Sequence, residues 1–268
     1  MNEFLQSIVE TSFLLAIVVL FAILLGAGEI GYRMGRLRRA SRALTEGERS
    51  NIGTLVAGML TLVAFFLGIT LSLAQSRFET RHDLVTSEAN AIGTAWLRAG
   101  LFDGPDATAM VRLIEEYAKV RLAYLSAPQD SDLEAIRTRT SSLQNRIWAH
   151  GREIAIRTPT PISASLIASL NEMFDLSLSQ RHAFASRVPI YLIWAILLGS
   201  IMGIGAMEYQ FGVSGRRQTL LTVLMLLMWT GSVMLIVDLN RPRLGALRID
   251  TRPLVWTIES FSPAPPSR

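Results

Sequence analysis

Histidines, which often carry acid–base or metal chemistry, are few and lie far apart in the sequence. The 268 residues include three histidines, His82, His150 and His182, and no cysteine. His82 lies near Glu79 and Asp83, and these three groups could hold a cation. A solvated helix face beside arginines is the alternative interpretation of the same segment. His150 falls on an apolar stripe and is predicted to be a hydrogen-bonded core histidine.

No motif of a catalytic site is present. The sequence has no phosphate-binding glycine loop, no nucleophile elbow and no pair of histidines at helical spacing. The lack of cysteine excludes disulfides, thiol catalysis and Cys-ligated metals. Basic residues do not interleave with aromatic ones as nucleic-acid binding would require. We therefore expect neither an enzyme nor a nucleic-acid partner, and no metal site or cofactor.

Polar residues recur on two segments that flank the most polar part of the chain. Glu88 and Asn90 belong to the first segment, and Asn171 and Asp175 belong to the second. If both segments are helices that leave adjacent ends of the membrane region, these side chains form a polar helix–helix network. An ion or ligand site is the alternative.

These polar groups are carried by a chain that is mostly apolar. Half of the residues are hydrophobic, 18% are charged, and mean hydropathy is +0.34, whereas soluble domains carry about 25% charged residues. A membrane-spanning helix needs about 17–25 mostly apolar residues. Four uncharged runs qualify, and they cover residues 11–28, 50–76, 188–207 and 218–237.

The sequence therefore predicts an all-α membrane protein with four transmembrane helices and a helical extramembrane insert between spans 2 and 3. The predicted regions are a two-span segment (1–76) with a basic loop (29–50), a water-exposed insert (77–187), a second two-span segment (188–237) and a tail (238–268).

The insert has the periodicity of amphipathic helices. Residues 77–101 are predicted to continue the second span, and Asp106 is predicted to cap the next helix. Residues 163–186 are predicted to form a helix that runs directly into the third span. The predicted buried stripes of the three insert helices after residue 101 are Met110, Ile114, Tyr117, Val120 and Tyr124; Leu133, Ile136, Thr140, Leu143, Ile147, His150 and Ile154; and Ile167, Leu170, Phe174 and Leu178.

Charge alone leaves the orientation in the membrane open. An even number of spans places the insert and both termini on one side. Eight arginines lie near span ends on that side and eight on the other, so the positive-inside rule does not separate them. If the first span dominates, loop 29–50 is cytosolic and the insert is outside.

Spacings of the type Gly31-xxx-Gly35 and Gly199-xxx-Gly203 indicate close helix packing.

The second span carries a pattern that resembles a known family. Residues 65–70 read FFLGIT, and Arg77 follows the glycine by nine positions. This resembles the pore helix of bestrophin anion channels, as does the order of two spans, insert and two spans. Residues 88–98 (EANAIGTAWLR) and 238–245 (DLNRPRLG) resemble the bacterial bestrophin-like membrane proteins over nearly the whole chain.

The resemblance implies an oligomeric channel in the plasma membrane, pentameric as bestrophins are, that passes small anions such as chloride. It implies a pore neck at Thr61, Phe65 and Ile69, with Arg77 and Arg81 at one mouth. It also implies a cytosolic insert and cytosolic termini. In the alternative, Phe65 and Ile69 face lipid or neighbouring helices, and the chain is a non-conducting scaffold or sensor that acts through its insert.

This sequence departs from the bestrophin pattern after the last span. Bestrophins have an acidic run there that binds calcium. Here Asp238 is followed by Asn240, Arg241 and Arg243. Calcium gating through such a clasp is therefore not expected.

Overall fold

The computed structural model describes residues 2–42, 44–127, 130–241 and 247–261. All regular secondary structure in these ranges is helical, which confirms the predicted all-α class. The helices are α1 (Asn2–Ser41), α2 (Glu46–Ala99), α3 (Pro105–Ser126), α4 (Asp130–Arg157), α5 (Pro161–Ala185), α6 (Ile190–Ser214), α7 (Thr219–Leu239) and α8 (Arg252–Ser260).

Four stretches of the described chain are long and apolar enough to cross a membrane, as predicted. They are Phe13–Ser41, Glu46–Ala99, Pro161–Ser214 and Thr219–Leu239. In the apolar 18-residue segment of each stretch, only 11% to 33% is buried within the described chain. Most of the apolar side chains therefore point outward, as expected for helices whose solvent is lipid.

The basic segment between the first two spans is mostly helical rather than a loop. Helix α1 continues to Ser41 and α2 begins at Glu46. The predicted loop 29–50 is therefore reduced to the few residues between these two helices. Ion pairs such as Arg33–Glu29, one turn apart at 2.8 Å, support the helical continuation.

The helices form two compact units, of which the first comprises residues 1–76 and 187–241. In this unit α1 packs against α6 with backbone in contact with backbone. A Cβ atom on Gly31 would collide with the carbonyl group of Gly205, and one on Gly35 would collide with the carbonyl oxygen of Tyr209. Small residues permit this approach, so the Gly31–Gly35 spacing does mark a helix contact. Gly199, by contrast, lies against Val63 of α2.

The second unit comprises residues 77–186 and 242–268. Its core is built from the buried faces of α2, α3, α4 and α5. Most positions of the predicted stripes of α3 and α4 are buried: Tyr117 and Ile147, for example, are fully buried, whereas Val120, Ile136 and His150 are partly exposed. Helix α8 lies in the predicted tail (238–268), for which no helix was predicted. It places Leu254 in this core, and Thr257 Oγ1 donates to the Ala89 carbonyl at 3.3 Å.

Two predicted details of α3 and α5 are wrong. Helix α3 is capped at Gly104, whose φ of +105° suits glycine, and Pro105 takes the first helical position. Asp106 instead accepts from Arg157 at 2.8 Å and contacts His150 Nδ1 at 2.9 Å. Leu178 is 65% exposed, because the buried face of α5 follows Leu166, Leu170, Met173, Ser177, Gln180 and Phe184.

Helix α5 does not run into the third span as predicted. The chain leaves helical conformation over residues 186–189 before α6 begins. Pro189 explains the break, because proline lacks an N–H and disfavours the α conformation in the preceding residue. The N–H of the buried Val188, which the break leaves without a helical acceptor, donates to Asn240 Oδ1 at 2.8 Å.

The α1–α6 contact predicts opposite effects for two glycine substitutions in the same helix. Gly35→Ala should lower the stability of the detergent-solubilised chain by about 1–3 kcal/mol, because the added methyl group meets backbone atoms that cannot move away. Gly26→Ala is the control, since no atom lies within 4 Å of its Cβ position, and alanine favours the helix. Thermal unfolding of both variants measures the difference, and equal midpoints would contradict the close contact.

Candidate functional site

One face of α2 within the first unit is exposed and uncharged. Thr61, Phe65 and Ile69 lie at successive helical turns and share this face. Phe65 is 61% exposed and Ile69 is 48% exposed. The opposite face, with Val63 and Thr70, is buried. The predicted neck residues are therefore on the side of α2 that no other part of the described chain covers.

The two arginines predicted at a pore mouth have different surroundings. Arg81 is completely buried and donates from Nε to Ala183 O at 3.0 Å and from Nη2 to Ser186 O at 2.6 Å. It thus satisfies carbonyl groups at the C-terminal end of α5, where a positive charge is favourable. This burial does not fit a solvent-facing position at a mouth. Arg77 is only partly buried and lines a mostly apolar cleft with His182.

The second unit contains a buried ion pair. Arg121 of α3 donates from Nε to Glu88 Oε1 of α2 at 2.5 Å and from Nη2 to Glu88 Oε2 at 3.3 Å. Its Nη2 also donates to Gln180 Oε1 of α5 at 2.5 Å. The side chains of Arg121 and Glu88 are 4% and 0% exposed. Three helices are therefore joined by one guanidinium group.

The electrostatics of this cluster favour the charged guanidinium of Arg121. Burial, the largest single influence, disfavours this charge, but the charge of Glu88, the hydrogen bond to Glu88 and the nearby phenols of Tyr117 and Tyr124 together outweigh it, so the pKa of Arg121 is raised above its ordinary value. Burial of the nearby phenol, followed by the charge of Glu88, raises the pKa of Tyr117 to about 12. The guanidinium also lies over the Tyr124 ring at 4.6 Å.

The predicted polar network therefore has other members than expected. Asn90, Asn171 and Asp175 are exposed, and the structure does not bring them to Glu88. Arg121, which does reach Glu88, and Gln180, which accepts from Arg121, were missed by sequence reasoning. Arg121 follows Tyr117 by four residues and precedes Tyr124 by three, so it occupies a core position of an apolar stripe. A charged residue at such a position signals a buried partner.

The segment 88–98, quoted above for its family resemblance, holds several helices of the second unit together. Besides the Glu88 contact, Trp96 Nε1 donates to Glu115 Oε1 at 3.1 Å and its ring stacks on Phe261 at 5.0 Å. Arg98 Nη1 donates to the Ser165 carbonyl at 2.9 Å. The motif is thus explained by packing and hydrogen bonding.

Carboxylates also occur on the membrane helices, where sequence analysis placed no charge. Glu208 of α6 is 4% exposed and accepts from Thr222 Oγ1 at 2.5 Å. Glu29 of α1 accepts from Arg33 at 2.8 Å and Arg217 at 2.5 Å. Both were missed because each uncharged run was ended at its first charge, while the helices continue beyond it.

The described residues contain no group of three or more His, Asp and Glu side chains that could hold a metal ion. Accordingly, His82, Glu79 and Asp83 do not form such a group. His150 is hydrogen-bonded as predicted, through Asp106, although its side chain remains 32% exposed.

The chain has four apolar stretches long enough to span a membrane and a second helical unit with a hydrophobic core of its own. These features define a multi-pass, all-helical membrane protein. The chain belongs to the bestrophin-like family: the model of the bestrophin-like domain matches residues 33–254. This confirms the resemblance drawn from the second span and from residues 88–98.

Solved structures with the same fold include a variant of a bacterial bestrophin homologue from Klebsiella pneumoniae. It has a TM-score of 0.67 and 15% identity, covering 94% of this chain and 96% of that one. A second structure of a bestrophin homologue from the same organism has a TM-score of 0.62 and 14% identity, covering 92% and 95%. A third, described as a membrane protein, has a TM-score of 0.67 and 15% identity, covering 93% and 97%. The sequence matches no curated protein significantly.

The buried ion pair predicts unequal costs for two glutamate substitutions. Glu88→Gln leaves the Arg121 charge buried without its counter-charge and should destabilise the second unit by about 3–5 kcal/mol. Glu116→Gln is the matched control, because Glu116 pairs with Arg139 at the surface and exposed pairs contribute less than about 1 kcal/mol. Thermal unfolding of the two purified variants and of the wild type measures the loss of stability in each.

Replacing both charges, by Glu88→Leu with Arg121→Met, should recover most of the stability that Glu88→Gln loses, since neither position then holds a buried charge without its counter-charge. Equal losses in Glu88→Gln and Glu116→Gln would contradict the assigned role of the pair.

Proposed function

We propose that this chain is one subunit of an oligomeric channel for small anions such as chloride, with α2 of every copy facing a central pore. The observation that carries the proposal is the uncharged, exposed face of α2 at Thr61, Phe65 and Ile69. Family membership supports it, because bestrophins are channels. A pentamer in the plasma membrane is the assembly that the resemblance implies.

Such a face suits a gate rather than a binding site. Apolar side chains arranged around an axis form a constriction that closes by excluding water, and charges beyond it select the sign of the ion. Phe65 and Ile69 supply the apolar rings, and Thr61 adds a hydroxyl. Arg77, next to the span, is partly exposed and supplies positive potential for anions. Arg81 does not, since its guanidinium is buried against α5.

Calcium gating is not part of this proposal. The segment after α7 has Asn240 where an acidic run would be needed, and the side chain of Asn240 binds the Val188 N–H. Asp238 is 4% exposed, so it does not present a free carboxylate surface. On the same family resemblance we assign the insert and both termini to the cytosolic side.

A non-conducting scaffold or sensor is the second candidate. It is favoured by one observation: the second unit has its own core and a cleft of ligand size, lined by Arg137, Asp175 and Arg181 among others. Anion flux through the purified chain in vesicles separates the two candidates, because a scaffold does not conduct.

The proposed pore predicts that two adjacent phenylalanines differ in effect. Phe65→Ala should raise anion flux several-fold in reconstituted vesicles, because removing the ring widens and wets the constriction. Phe66→Ala is the control: it makes the same change one position along α2, about 100° around the helix, and should leave flux near the wild-type value. A conducting wild type whose flux is unchanged by Phe65→Ala would contradict the neck assignment.

A further inference from the structure

A cleft of about 330 Å³ lies between α3, α4 and α5 in the second unit. Its volume falls at the lower end of the range of small-molecule sites, about 300–1,000 Å³. Polar and apolar groups share the lining, and the polar ones include three arginines, Arg121, Arg137 and Arg181, one carboxylate, Asp175, and the hydroxyl-bearing Ser141. The pair with Glu88 accounts for Arg121, but no role in packing or in the proposed pore accounts for Arg137, Arg181, Asp175 and Ser141.

The charge of the lining is positive on balance. Arg121 is neutralised by Glu88, as described above. Arg137 has one ion pair, with Glu134 at 3.5 Å, and that glutamate is 80% exposed, so its screening of Arg137 is weak. Arg181 and Asp175 remain as opposite charges on α5. One formal positive charge in the cleft therefore has no strong counter-charge.

Hydrogen-bonding capacity in the cleft is largely unused. Arg181, Asp175 and Ser141 make no side-chain hydrogen bond or ion pair with any other described residue. The Arg137 Nε–H is buried and has no acceptor within the described ranges. Two guanidinium groups from different helices thus present donors at one cleft, the arrangement that binds oxygen anions through paired N–H groups.

We propose that this cleft binds a small organic oxyanion, a carboxylate or a phosphate, held by Arg137 of α4 and Arg181 of α5. Ser141 donates to the same group through its hydroxyl. The negative charge of Asp175 weakens the binding of a ligand that has only anionic groups. It favours a ligand that also carries a hydroxyl or amino group, which can donate a hydrogen bond to the carboxylate. The site is distinct from the proposed pore, and binding at it is measured without ion flux.

Calorimetric titration of the full-length chain in detergent tests the proposal, with sodium phosphate and sodium succinate as probes and chloride at matched ionic strength as reference. Wild type should bind at least one probe at submillimolar to millimolar concentration. Arg137→Gln and Arg181→Gln should each weaken binding about tenfold, as expected for loss of a charge-assisted hydrogen bond. Asp175→Asn should strengthen binding of phosphate several-fold, because the repelling charge is removed.

Arg146→Gln is the matched control, since Arg146 lies on α4, is exposed and does not line the cleft. Its affinity should equal that of wild type. Because Arg181 is exposed, Arg181→Gln is not expected to unfold the protein. Asp175→Asn tests the site independently, because this substitution should increase affinity, which unfolding would not do. Absence of binding by both probes at millimolar concentration, or an equal loss in Arg146→Gln, would overturn the proposal.

Discussion

The buried pair between Glu88 and Arg121 is the interaction on which the second unit depends. Burying two charged side chains is costly unless each forms well-oriented hydrogen bonds with the other. The contacts of Arg121 with the two Glu88 carboxylate oxygens, at 2.5 Å and 3.3 Å, provide these bonds. Because Gln180 accepts from the same guanidinium, the pair determines how α2, α3 and α5 pack. It also positions α3 and α5 along the cleft proposed to bind an oxyanion, where Arg121 contributes to the wall while its charge is already satisfied.

Helix α2 connects this packing to the proposed function, since it contributes residues to both units. Its residues 50–76 carry no charge and bury only one face against the first unit. The other face must be covered by lipid, by other copies of the chain or by both. If several copies of the chain surround an axis and cover this face, the exposed Phe65 and Ile69 of each copy form a constriction around that axis. The close α1–α6 contact at Gly31 and Gly35 occupies a separate pair of helices and leaves this face of α2 free.

Sequence alone predicted the spans and the insert helices well, because hydropathy and helical periodicity report directly on burial. Prediction from sequence failed where a local preference, such as that of a residue type for a helix cap, was overridden by an adjacent residue or by a contact distant in sequence. Asp106 is a good cap by type, but Pro105 takes the first helical position and moves the cap to Gly104. The partner of Glu88 could not be found by proximity, since Arg121 lies 33 residues away. The core position of Arg121 between Tyr117 and Tyr124 was the available signal. Arg81, which the family resemblance placed at a pore mouth, is likewise buried.

The number of chains in the assembly tests the central claim most directly, because the exposed face of α2 lines a pore only if several copies surround an axis. Native mass spectrometry of the detergent-purified protein measures that number. The account predicts a pentamer. A stable monomer or dimer would contradict it, because no central pore would then exist for α2 to line.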